Sequence, residues 1–187
     1  MKPPACQFCK LITYHQYPMD PSTRAALVAE LTALLTKGNA HATFEQAVAN
    51  LPAPLRNQLV SGVPYTIWHL VEHMRIAQGD IVEFCLNPGH QSPEWPAGYW
   101  PDKALAVDET GWQATLHQIR VDQARFLALL ADPTVDLLAP LPHGDGQNLL
   151  REALLIGDHA AYHTGEIVVV RRLLGVSIIE VNGNEAK

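Results

Sequence analysis

The residues best placed to do chemistry in this 187-residue chain are three histidines. His159 and His163 stand one helical turn apart, and His73 lies in the apolar stripe of another amphipathic segment. Residues i and i+4 share a helix face, so the pair aims two imidazoles at one region. A third imidazole from a neighbouring helix completes a facial set that can hold a divalent ion and leave positions open for water or substrate. Three neutral ligands leave the ion's charge uncompensated. It can then lower the pKa of a bound water toward ~7, or bind and polarise an anionic oxygen or thiolate. Imidazole suits several first-row metals, so ligand type does not decide among them; zinc or nickel is expected first and iron or manganese next. The competing reading is three core histidines bonded to carbonyls or tyrosines, since an unpartnered buried imidazole costs about 1–3 kcal/mol.

Other metal motifs are missing. His159-Ala160-Ala161-Tyr162-His163 lacks the Glu that follows the first His in zinc proteases. No Glu is followed three residues later by His, which removes the di-iron carboxylate signature. His69 is also i, i+4 to His73, and a closed four-histidine cage would be structural. It lies farther from the stripe, at an edge shared with Ile76 and Asp80, and reads as a flanking residue. Glu166, one turn past His163, can orient an imidazole or accept a proton, or can instead pair in solvent with Arg171 or Arg172. Asp80, Gln123 and His69 are the other polar groups that could approach the site. Asp158 is expected on an exposed face, and Tyr162 points away from the histidines by helical phase. Gly157, Ala160 and Ala161 are expected to leave room beside the pair. Cys6 and Cys9 form a C-x-x-C that could join His15 in a zinc site or act as a redox pair, yet no second C-x-x-C closes such a site. No role is assigned to His15, His41, His90, His117 or His143.

The elements that must position these residues read as helices. Asp20-Pro21 offers a cap and a first-position proline, and Gly38 lies just past Leu27, Leu31 and Leu34. Thr43-Phe44-Glu45-Gln46 resembles a capping box for a short helix that Leu51-Pro52 ends. A second long helix runs from near Pro64 to Leu86, carrying Leu70, His73, Ala77, Ile81 and Phe84 on one face. The segment from Asn87 to about Val107 holds four prolines with Trp95, Tyr99 and Trp100. A connection of that length is functional or packed by its own aromatics. Asp108 caps a third helix with the stripe Trp112, Leu116, Ile119, Gln123, Phe126 and Leu130. Asn148 caps the fourth, whose seam Leu149, Ala153, Ile156, Ala160, His163, Ile167, Val170, Leu174 alternates four and three until Gly175. The expected fold is all-α, a four-helix bundle with a long ordered loop between the second and third long helices.

Composition sets the outer limits. At this length, with 48% hydrophobic and 17% charged residues, one globular domain is expected over 1–187, with an extension at 1–19 and a tail at 176–187. The net charge of −6 and the lack of a Lys/Arg run argue against nucleic acid. No apolar stretch is long enough for a bilayer, since the run at Ile167-Val168-Val169-Val170 is closed by Arg171 and Arg172. The start lacks a signal-peptide core, and three cysteines argue against a disulfide framework, so a soluble cytoplasmic protein is expected.

Taken with their order, the segments Gly62–Gln78 and Asp158–Ile167, joined by Tyr99-Trp100-Pro101 and Gly144–Glu152, resemble the DinB-like (YfiT-like) metalloprotein superfamily over about residues 22–175. The resemblance implies a four-helix bundle with one metal ligand on the second helix and two on the fourth, which here are His73, His159 and His163. It also implies an activity such as transfer of a low-molecular-weight thiol, with metal-assisted hydrolysis as the second expectation and a small molecule as substrate. The competing class is a non-catalytic metal- or small-molecule-binding bundle. Helical bundles of this size often bury a helix face across a two-fold axis, which makes a homodimer the expected assembly.

Overall fold

In the computed structural model, residues 19–38 and 40–178 are described; Cys6, Cys9 and His15 lie outside them, as does most of the 176–187 tail. The helix starts follow from local chemistry. Asp20 caps α1 (Pro21–Lys37) by accepting from the N–H groups of Ser22 and Thr23. At its end Gly38 takes a left-handed φ of 66°, where a Cβ would meet the His41 carbonyl at 2.8 Å. Thr43 and Gln46 form the expected capping box on α2 (Phe44–Val48). Pro52 does not simply close this region. It leads into a further turn, α3 (Ala53–Arg56), which the sequence reading did not foresee.

The next helix, α4 (Ile67–Leu86), starts at a Thr66 cap rather than near Pro64. His69 occupies the position that Glu or Gln fills in most capping boxes: its Nδ1 accepts from the Thr66 N–H at 3.2 Å, and Thr66 Oγ1 accepts from the His69 N–H. After a 3-10 turn at Ala97–Tyr99 come α5 (Glu109–Ala131), capped by Asp108, and α6 (Leu149–Leu173), capped by Asn148. Among the described residues the chain is all-helical, with no strand.

α4 packs against both α5 and α6, while α1 packs against α5 and α6 from the other side. Two apolar clusters result. One gathers Ile67, Leu70 and Val71 with Trp112, Leu116, Ile119 and Ile167. The other gathers Leu31, Val82, Cys85, Phe126, Leu130, Leu149 and Ile156. Along α6 the two histidines fall between Ile156 of one cluster and Ile167 of the other. They therefore form a polar layer where a continuous aliphatic seam would otherwise run. The buried Arg171 donates to the carbonyls of Ala47 and Ala49, tying the end of α2 to α6.

The loop between α4 and α5 is held at both ends. Asn57 clips Val107 with two side chain–backbone hydrogen bonds of 2.9 Å. Near its start, His90 and Tyr99 both bond Asp80 of α4.

Candidate metal centre

α4 and α6 bring His73, His159 and His163 together. One ligand-capable atom from each lies within 4.8 Å of the others, the one such His/Cys/Asp/Glu group among the described residues. His73 and His163 are buried and His159 is half-buried. The rings meet edge to face, with centroids 4.4 to 4.9 Å apart.

Hydrogen bonding decides which nitrogens are free. His73 Nδ1 lies 2.7 Å from the Tyr99 carbonyl oxygen, which can only accept, so Nδ1 carries the proton and Nε2 offers its lone pair. His163 Nδ1 lies 2.6 Å from Glu166 Oε2 and donates to it, with the same consequence for its Nε2. His159 Nε2 faces His73 Nε2 at 3.0 Å. A carbonyl or carboxylate on the far nitrogen of a ligating histidine fixes its tautomer and raises its basicity. Burial lowers the pKa of His73. Burial, then the neighbouring His163 and His73, push His159 down to about 4. Neutral imidazoles are what a metal requires, so these three histidines could hold a metal ion.

Around the histidines lies a cavity of about 610 Å³, whose walls include Tyr65, Asp80, Trp95, Trp100, Tyr162 and Glu166. Trp100 stacks flat on His73, with centroids 4.0 Å apart and planes parallel, so the ring is fixed on its face as well as at Nδ1. Tyr65 donates its hydroxyl to Glu166 Oε1 at 2.5 Å. Burial and the Glu166 carboxylate push the Tyr65 phenol up to about 12, so it stays a donor at neutral pH. On the opposite wall, Asp80 accepts from the Tyr99 hydroxyl at 2.6 Å and sits 2.7 Å from His90 Nε2. Burial and Asp80 likewise push Tyr99 up to about 12.

Some sequence expectations hold here and others change. Glu166 is at the site through His163, whereas Arg171 is taken by the Ala47 and Ala49 carbonyls. His69 stays out of the group, because its Nδ1 caps α4. Gln123 also stays away and donates to the Leu35 carbonyl at 2.6 Å. Gly157, Ala160 and Ala161 do not make room beside the histidines. They face α1, where a Cβ on Gly157 would meet Leu34 at 2.8 Å, and they line a separate cavity of about 220 Å³. Tyr162 is exposed, as is Asp158, but it does not turn away from the site: its ring contacts His163 edge-on at 4.9 Å and borders the large cavity. Tyr65 and His90 were not singled out. The Asn87-Pro88-Gly89 turn ahead of His90 is the one signal that it could fold back onto α4.

Comparison of the chain with family models, with curated proteins and with solved structures finds no match. Among the described residues no helix is long and apolar enough to cross a membrane.

Proposed function

We propose that α1, α4, α5 and α6 form a DinB-like four-helix bundle whose His73, His159 and His163 hold one divalent ion, zinc or nickel first. We propose further that the chain uses it to activate a thiol or water nucleophile against a small electrophile. The observation that supports this most is the hydrogen bonding of His73 and His163, which commits both Nδ1 atoms and leaves Nε2 atoms facing one space in an open cavity. When bound, the ion would lower the pKa of the nucleophile and orient it. The protein's own part is to keep the imidazoles neutral and aimed. Glu166 holds His163, the Tyr99 carbonyl holds His73, and Trp100 covers the His73 ring. No lysine or arginine lines the cavity among the described residues, so recognition of a thiolate or oxyanion falls to the ion. Tyr65, Trp95, Trp100 and Tyr162 offer the rest of the substrate aromatic surface.

A second reading, a metal- or small-molecule-binding protein without catalysis, is favoured by one observation. Both oxygens of Glu166 and both of Asp80 already accept or pair, so neither carboxylate is an uncommitted base. Cobalt-loaded protein separates the two. Under the catalytic reading, adding a low-molecular-weight thiol produces a sulfur-to-cobalt absorption band and thiol-dependent consumption of an alkyl halide, both lost in His163→Ala. Ester hydrolysis without thiol would select water as the nucleophile. Tight cobalt binding with neither reaction above the metal-free level would leave the binding protein.

A further inference from the structure

α6 carries a second seam, on the side facing away from the core. Leu155, Asp158, Tyr162, Gly165, Val169 and Arg172 are spaced alternately by three and four residues, the pattern of a helix that meets another helix. All six are exposed, Tyr162 at 65% and Val169 at 50%. Five of the ten exposed large apolar side chains among the described residues belong to this one helix: Leu154, Leu155, Tyr162, Val169 and Leu173. Surface apolar residues scattered singly need no explanation, but a continuous stripe of them marks a contact face.

We infer that this seam is the interface of a homodimer, with α6 packed antiparallel on α6 of a second copy about a two-fold axis at Gly165. Three features choose that occupant. Gly165 sits mid-helix, where glycine weakens a helix, and no described residue lies within 4 Å of the Cβ it lacks. Its smallness therefore serves no contact among the described residues and permits close approach of another backbone. Asp158 and Arg172 each lie seven residues from Gly165, on opposite sides, and neither has an ion-pair partner among the described residues. An antiparallel pair centred on Gly165 sets Asp158 of each copy against Arg172 of the other, twice by symmetry. A parallel pair would oppose Arg172 to Arg172, and a pair centred on Tyr162 would bring Asp158 against Glu166. The charges thus select both direction and register. Leu155 and Tyr162 also border the histidine cavity, so the partner helix becomes part of its rim. The interface stands independently of the metal.

Light scattering on the full chain at micromolar concentration is expected to give twice the 20.6 kDa chain mass. Asp158→Arg and Arg172→Asp should each weaken the dimer by about tenfold or more, and the double variant should restore it, because the reversed charges still pair. Gly165→Cys should give a disulfide between the introduced thiols of the two copies, identified by peptide mapping, since the axis brings these positions within bridging range. A monomer at these concentrations overturns the inference. So does a dimer indifferent to both single charge reversals.

Discussion

Two walls of the histidine cavity repeat one arrangement with different consequences. On one, Glu166 bridges the Tyr65 hydroxyl and His163 Nδ1. On the other, Asp80 bridges the Tyr99 hydroxyl and His90 Nε2. Each is a tyrosine, a carboxylate and a histidine in a row. In the first row the histidine belongs to the convergent group of three. In the second it does not, and the influence on that group runs through the backbone: anchoring the Tyr99 side chain fixes the Tyr99 carbonyl that holds His73. One wall thus acts on the site directly, through a side chain, and the other indirectly, by fixing a segment of loop. A side chain can be deleted by substitution whereas a carbonyl cannot, so the two walls should fail differently.

The largest contrast is expected at Glu166. Glu166→Gln removes the charge that accepts from His163 and should weaken metal binding by about 10- to 100-fold, measured by competition with a chromophoric chelator. A change below about twofold would mean that His163 is held by packing alone. His159 offers the next contrast, because neither wall reaches it: its polar contact is His73 Nε2. Its folded pKa of about 4 is below the ordinary histidine value of 6.5. The stability tied to its neutral form is therefore present above pH 6.5 and lost as pH falls from there toward 4. Denaturant midpoints of metal-free protein should drop across that window, and His159→Gln should flatten the drop. An equal drop in the variant would assign the acid sensitivity to other groups. The smallest effect is expected at Asp80. Asp80→Asn keeps an acceptor for Tyr99 and leaves the carbonyl on His73, so metal affinity should fall only about threefold, short of the range for direct partners. A loss as large as that of Glu166→Gln would show that the loop wall is as stringent as the side-chain wall.

What the sequence made legible divides along the same line. Asp20, Thr43, Asp108 and Asn148 mark helix starts because capping is a local matter between a side chain and nearby N–H groups, and Gly38 marks a helix end because its backbone takes the left-handed conformation. The α6 seam and the three histidines were legible because helical phase is periodic. Phase alone misplaced two features. Tyr162 is off the histidine face at its Cα, yet its long ring reaches back to His163. Gly157 and Ala161 are small because α1 crosses there, a long-range fact that spacing does not carry. The Tyr99 carbonyl was illegible for a deeper reason: every residue has a carbonyl, and only the loop's path decides which one meets His73. His69 was read as a flank because it lies farther from the apolar stripe than His73, but that its nitrogen serves the helix start was not legible.

The central claim is that the three histidines share one ion. The direct measurement is elemental analysis of purified, metal-reconstituted protein beside its His73→Ala, His159→Ala and His163→Ala variants, with circular dichroism on each. The account predicts one divalent ion per chain in the parent, lost in every variant while the helical signal persists. Reconstituted parent protein without metal, or a variant that keeps its full complement, would contradict it and leave three histidines that merely pack.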